Sequence, residues 1–232
     1  MLFSVLTLFP DAIRAYLDDS ILGKAQAAGH IRFQLVDFRH FTGDRHLKVD
    51  DRPFGGGPGM VLKPEPIFDA IEEVEGRFGP HHRILLSPRG RTFDQEKAAE
   101  LSRKEKILLL CGRYEGFDER IRQGFEWDEI SLGDFVLSGG ELPALTIIEA
   151  VSRLIPGVLG SEESAVQDSF QEGGMVDHPH FTRPLEYRGM EVPGVLRSGN
   201  HKEIDRWRLR QRQRLTAEKM AAKEQARKKN EH

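Results

Sequence analysis

The sequence predicts an α/β protein built round a parallel sheet, and two observations carry that prediction. Over the first 112 residues, short apolar runs alternate with segments of helical spacing, the pattern of strand–helix–strand units. The runs at 84–86 and 107–111 lead into glycine-bearing loops, LLSPRG and LLLCGRYEG, and open α/β sheets hold ligands beyond the carboxyl ends of their strands. Composition bounds the rest. Of 232 residues, 38% are apolar, 8% aromatic and 31% charged, the balance of a soluble globular chain. Cys111 is the single cysteine, which rules out an internal disulfide and a cysteine-built zinc site.

The elements follow in order. Leu2–Leu8 reads as a strand that ends before Pro10, and Asp11–Asp18 as a helix with Ile13, Tyr16 and Leu17 at helical spacing. Ser20 is placed to cap a second helix through Ala28, with Gly29 as its stop. Ile31–Phe38 alternates as a strand does. Residues 40–62 read as a long loop containing DDRPFGGGPGM. Pro64–Gly76 reads as a helix with Ile67, Phe68, Ile71 and Val74 on one face. Ile84–Leu86 is a buried-type strand followed by a turn over 87–90, and Asp94–Arg103 is a helix whose leading acid suits the helix dipole. Ile107–Cys111 is another strand, with Cys111 as a small core residue. Residues 112–140 hold six glycines and interrupt the rhythm. Glu141–Ile155 resumes a helix, with Leu142, Leu145, Ile148 and Val151 expected on its inner face.

Small, polar residues over 157–167 read as a linker, which divides the chain into an N-terminal domain over 1–156 and a C-terminal domain over 168–232. The two parts differ in charge. Residues 1–200 carry a net charge of −9, whereas 201–232, expected to be helical, carry +6. A basic tail on an acidic body suits contact with an anionic polymer, and equally a solvated helix end. The N-terminal apolar run lacks a basic leader, and no later run reaches the ~18 apolar residues of a membrane span. A cytoplasmic protein with no membrane partner is expected.

Three glycine-bearing segments, LLSPRG, LLLCGRYEG and SLGDFVLSGGE, would together wall a pocket with main-chain N–H and C=O groups. Such a pocket suits a flat polar ligand such as adenine with its ribose, although each loop taken alone is also an ordinary tight turn. Neither a GxGxxG after a strand nor the GK[ST] of a phosphate loop is present. Gly55, Gly56, Gly57 and Gly59 follow the charged DDRP, and read as a loop that lets a bulky partner approach the backbone. His178-Pro179-His180 after Asp177, and His81-His82, contain metal-ligand types without the spacing of a known site, so no metal residue is assigned.

DDRPFGGGPGM, LLSPRG, LLLCGRYEGFDER, ISLGDFVLSGGELPA, SRLIPGVLG, DSF, HPHFTRP, GMEVPGVLRSGNH and RWRLRQ occur in that order. Together they closely resemble the bacterial tRNA (guanine-37-N1)-methyltransferases, a family of the SPOUT class, from Met1 to about Arg210. The resemblance implies a SPOUT-type parallel sheet with a deep trefoil knot over 112–140, a small and mostly helical C-terminal domain, and an obligate homodimer. It implies S-adenosylmethionine bound in a bent shape by Leu86, Ser87 and Pro88; by Gly112, Tyr114, Glu115 and Gly116; and by Ser131, Leu132, Gly133, Asp134, Phe135, Val136 and Leu137 with Gly139 and Gly140. It makes Asp168 and Arg153 catalytic, with Asp168 supplied by the partner subunit. Asp50, Ser164 and His180 match positions near the target nucleotide. Mg2+ is implied as well, with no ligands assigned to it in this sequence.

The chemistry suits those two residues. Guanine N1 carries a proton, so methylation there needs a general base within hydrogen-bond reach, and a cation or donor for the charge that builds on O6. A carboxylate and an arginine fill those roles. As bland alternatives, Asp168 could cap a helix and Arg153 could end one in a salt bridge. Arg206, Arg208 and the arginines that follow are expected to contact RNA phosphates. Here the chain departs from the family pattern: QRQRLTAEKMAAKEQARKKNEH is short and charged, and its end is expected to fray. Two other readings remain at this point, a SPOUT-class enzyme acting on another RNA base and a non-catalytic RNA-binding module.

Overall fold

β1 (Leu2–Thr7) is buried along its whole length, which explains its unbroken apolar character: a central parallel strand is covered on both faces. The computed structural model describes residues 1–160, 168–170 and 174–230. The chain divides into two compact units, Met1–Gly160 and Ser161–His232.

In the first unit β2 (Arg32–Asp37), β1, β6 (Lys106–Leu110), β5 (His82–Thr92) and β7 (Asp128–Ser131) lie side by side in that order, all parallel. Side chains alternate between two cores, as the two-residue period of a strand requires. Phe3, Val5, Ile84, Ile107 and Leu109 pack on one face against α1 (Pro10–Leu17), α2 (Ser20–Ala27), α4 (Gln95–Leu101) and α6 (Glu141–Ser152). Leu6, Leu85, Leu108 and Leu110 pack on the other against α3 (Pro64–Phe78) and Ile121 of α5 (Glu119–Gly124).

Several local expectations are corrected. Asp19, not Ser20, caps α2, its carboxylate accepting the Ser20 N–H at 2.6 Å. The turn expected at 87–90 lies inside β5 as an excursion, because Leu86 and Arg91 both face Ile130 of β7. The 112–140 stretch contains both a helix, α5, and a strand, β7. The long loop is closed as a hairpin by β3 (Asp50–Asp51) and β4 (Val61–Leu62). The inner face of α6 is Glu141, Ala144, Ile147, Ile148, Val151 and Ser152, while Leu142 is exposed. Val158 is buried in the first core.

In the second unit, β8 (Glu186–Tyr187) and β9 (Met190–Glu191) form a hairpin, and α7 (His201–Asn230) runs through the segment whose end the composition predicts to fray. The side chains of Trp207 and Phe181 meet with ring centroids 6.3 Å apart, and Thr216 Oγ1 accepts the Val176 N–H at 2.9 Å.

Candidate active site

Beyond the carboxyl ends of β5, β6 and β7, three loops surround a cavity of about 570 Å3. The first is the excursion from β5. Ser87 Oγ accepts the Arg89 N–H at 3.1 Å, and Gly90 lets the chain return, since a Cβ there would collide with the backbone of Glu129 and Ile130. The second loop follows β6 and turns at Tyr114, whose φ of +58° is uncommon for a residue with a side chain, and at Gly116, whose φ is +106°. The third follows β7, where Ser131 Oγ accepts the Gly133 N–H at 3.1 Å.

Main-chain bonds tie the loops together. The Gly140 N–H donates to Gly112 O at 2.9 Å, and Arg113 bridges to Gly139. Gly140 is glycine for closeness: a Cβ would stand 2.6 Å from Cys111 Cα. The DDRPFGGGPGM hairpin is joined to the second loop in the same way. Glu115 N–H donates to Met60 O at 3.0 Å, Leu62 N–H to Gly116 O at 2.9 Å, and Asp118 N–H to Leu62 O at 3.0 Å. Phe54, at the hairpin tip, is fully exposed.

Every cofactor residue expected from the sequence lines this cavity except Asp134. Arg89, Arg113, Glu119, Arg122 and Pro143 line it too, and sequence reasoning missed them. The four charged ones form ion pairs at its edge. Glu119 meets Arg89 at 3.2 Å and Arg122 at 3.1 Å, and Arg122 also reaches Glu129 at 3.1 Å. Arg113 and Glu141 pair at 2.9 Å, and Thr7 Oγ1 donates to Glu141 at 2.7 Å. Hydrogen bonding from Arg120 holds the Asp118 carboxyl below the usual carboxylate range, where it caps α5. Burial, reinforced by Glu141, pushes the Cys111 thiol well up, so it stays protonated and is no nucleophile.

The remaining expected residues fall in both units. Arg153 is the C-cap of α6 in the first unit, and Asp168 belongs to the second unit. Asp50 pairs with Leu62 across the hairpin, and Gly55, Gly56 and Gly57 have open space where a Cβ would stand. His180 is exposed in the second unit and bonds Asp177 at 2.8 Å. Burial pushes the Asp177 carboxyl up, but hydrogen bonds from His180 and the His178 N–H outweigh it and hold the group below its ordinary value. Arg206 and Arg208 are exposed on α7, near Glu203 at 3.8 Å and Asp205 at 3.7 Å. Ser164 lies outside the described residues.

Among the described residues two groups bring three metal-ligand types together, Asp177–His178–His180 and His82–Glu100–Asp128. In the second, Lys97 Nζ already stands 2.7 Å from Asp128 and 2.9 Å from Glu100, where a cation would sit. His81 joins neither group; its ring bonds Ser4 at 3.0 Å and Gly79 O at 2.8 Å.

Comparison with known proteins places this geometry. The family model for tRNA (Guanine-1)-methyltransferase TrmD matches residues 1–223. The tRNA (guanine-N(1)-)-methyltransferase of Bacillus licheniformis is 52% identical over 217 residues, covering 93% of this chain and 89% of its own. That of Bacillus subtilis is 50% identical with the same coverage. Among solved structures, the tRNA (m1G37) methyltransferase from Aquifex aeolicus matches with a TM-score of 0.78 and 44% identity, over 94% of this chain and 92% of that one.

Proposed function

The chain belongs to the tRNA (guanine-1)-methyltransferase family, and from that membership we propose that it methylates N1 of the guanosine at position 37 of tRNA, next to the anticodon, using S-adenosylmethionine. The observation that carries this reading is the cavity enclosed by the three strand-end loops. Its volume falls in the range of about 300–1,000 Å3 usual for small-molecule sites. Its walls offer main-chain donors and acceptors for an adenine edge and ribose hydroxyls, with Leu86, Ile130 and Leu137 as apolar surface, so the residues present fit the group.

S-adenosylmethionine supplies an electrophilic methyl on a sulfonium when bound there. Everything else falls to the chain. The Asp168 carboxylate accepts the N1 proton of the guanine as the lone pair becomes available for attack, and the Arg153 guanidinium offsets the charge that develops on O6. The cavity walls hold the reacting groups in line, which is a positioning task. The target base must leave the stack of the anticodon loop, which costs a few kcal/mol. Asp50, His180, Ser164 and the loop of Gly55, Gly56, Gly57 and Gly59 are the groups this reading brings to the RNA, with Arg206 and Arg208 on phosphates. The DDRPFGGGPGM hairpin is bonded to the cofactor loop, so RNA bound at the hairpin registers directly on the cavity wall.

The reading includes a homodimer whose active site combines Arg153 of one subunit with the Asp168 of the other. In its support, Tyr16, Val136 and Leu142 leave apolar surface exposed on the first unit, as a second copy would cover. It includes a trefoil knot over 112–140, whose two ends the Gly140–Gly112 bond joins. The domain division at 157–167 and a cytoplasmic location complete it; among the described residues no helix is long and apolar enough to cross a membrane. Mg2+ prefers an all-oxygen shell. Asp177–His178–His180 offers two imidazoles and the other cluster is filled by Lys97, so neither fits and no step here runs through a metal.

The test is transfer of labelled methyl from S-adenosylmethionine to tRNA carrying guanosine at position 37, against the same tRNA with adenosine there. Label in the first and none in the second is expected. Equal labelling of both would favour action on another RNA position, and RNA binding without transfer would favour a binding module.

A further inference from the structure

Arg113, which lines the cavity, pairs with the buried Glu141 carboxylate, and neither takes part in the proposed proton transfer. The Glu141 side chain is 7% exposed and that of Arg113 25%. Burying a carboxylate is unfavourable unless partners meet it, and here three do. Arg113 Nη2 stands 2.9 Å from one oxygen, Thr7 Oγ1 donates to the other at 2.7 Å, and the first turn of α6 places the residue at the positive end of a helix dipole. Thr7 Oγ1 also accepts the Phe9 N–H at 2.9 Å, and the Arg113 guanidinium lies 4.3 Å above the Phe9 ring.

These contacts join three places. Thr7 is the end of β1, Arg113 is in the 112–116 loop, and Glu141 follows directly on the 131–140 loop. The Arg113 backbone bridges to Gly139, and its Nη1 donates to Ser138 O at 3.4 Å. Gly139 makes this geometry feasible, because a Cβ there would collide with Arg113 Nε and Glu141 Oε2. Cys111, fully buried, lies close enough to Glu141 and Arg113 to feel their charges. Apolar residues of similar volume often serve stability at such a site as well as an ion pair does, so stability alone does not account for the charges.

We propose that the Thr7–Glu141–Arg113 chain of contacts sets the spacing between the two glycine loops, and that Arg113 and Glu141 are thereby positioning residues for S-adenosylmethionine. The inference rests on the reading of the cavity as the cofactor site. It acts on the cofactor through the loops and predicts no direct role in proton transfer.

The experiment measures S-adenosylmethionine affinity by calorimetry and thermal stability in the wild type, in Arg113→Met, in Glu141→Gln and in the double variant. Arg113→Met leaves the buried Glu141 carboxylate without its cation and Glu141→Gln leaves Arg113 without its anion, so Tm falls, more in the first, and cofactor affinity weakens by about 10- to 100-fold from misplaced loops. The double variant leaves no lone charge, so Tm returns toward the wild-type value while cofactor affinity stays at least about 10-fold weak. In steady state the loss appears as a raised KM for S-adenosylmethionine, with kcat and the KM for tRNA little changed. If the singles fail to fold, the double variant carries the test. Recovery of affinity together with Tm in the double variant would overturn the proposal, as would wild-type affinity in any folded variant. Wild-type protein that bound no S-adenosylmethionine would overturn the cofactor reading of the cavity itself.

Discussion

The two ends of the central sheet solve the same problem differently. At the amino ends of β5 and β7, side chains close the space. His82 and Lys97 both meet Asp128, at 2.8 and 2.7 Å, Lys97 turns also to Glu100 at 2.9 Å, and Glu75 pairs with Arg83. At the carboxyl ends the chain does without side chains at Gly112, Gly139 and Gly140, and peptide groups bond across the gap. Filling one end with paired charges anchors the strands. Emptying the other leaves a cavity whose walls include bare backbone between the side chains. Charge is paired at both ends, but at the second the pairs border the space a ligand would enter.

The largest expected effect separates reaction from architecture. Asp168→Ala removes the proposed base from outside the first unit, so methyl transfer falls by about 10^2- to 10^4-fold in a single-turnover assay. Cofactor affinity stays at the wild-type value. A large loss of cofactor affinity in this variant would make Asp168 part of the cavity wall and blur the contrast.

Gly140→Ala comes next and tests the open end directly. The new methyl would stand 2.6 Å from Cys111 Cα and 2.9 Å from Gly112 N, both backbone atoms. Overpacking of this kind costs about 1–3 kcal/mol. Calorimetry is expected to show cofactor affinity lost along with some stability, and unchanged binding would mean that the loops do not need to meet so closely.

Asp128→Asn tests the closed end and has the smallest effect on function. Burial pushes this carboxyl up, but the hydrogen bonds from His82 and Lys97 outweigh it and its folded-state pKa lies below the unfolded one. A depressed carboxyl stabilises the fold above its unfolded value of about 3.9, and the contribution disappears as pH falls through the folded value. The wild type therefore loses this stability below about pH 4, while the variant lacks it at neutral pH and is flatter through the acid range. Its neutral-pH loss is about 1–3 kcal/mol, read as a lower Tm, with cofactor affinity intact. A fall in cofactor affinity would show that the two ends are coupled through β5 and β7.

The same contrast explains what the sequence revealed. β1 and β6 are legible because strands covered on both faces become apolar runs. β7, Asp128-Glu129-Ile130-Ser131, escapes because it carries one large apolar residue, and its acids are spent on His82, Lys97 and Arg122. Gly90 reads as a turn although it lies within β5, where closeness to β7 excludes a side chain. The inner face of α6 is misread at Leu142 because Glu141, a charged residue that period arguments place in solvent, is buried against Arg113 and Thr7. The glycine loops were legible as three separate segments. Their union round one cavity depends on strand order, and so does the Arg113–Glu141 pair, whose members stand 28 residues apart with no period to link them.

The part of this wall that is main chain has a consequence for any small molecule aimed at it. Mutation replaces side chains and leaves amide hydrogens and carbonyl oxygens where they were, so a competitor that engages those groups denies the protein its simplest route of escape. Where the wall is main chain, the substitutions that could reshape it fall on crowded glycines such as Gly139 and Gly140, where an added carbon disturbs the natural ligand's seat along with the inhibitor's. Resistance at this pocket would therefore carry its own loss of fitness.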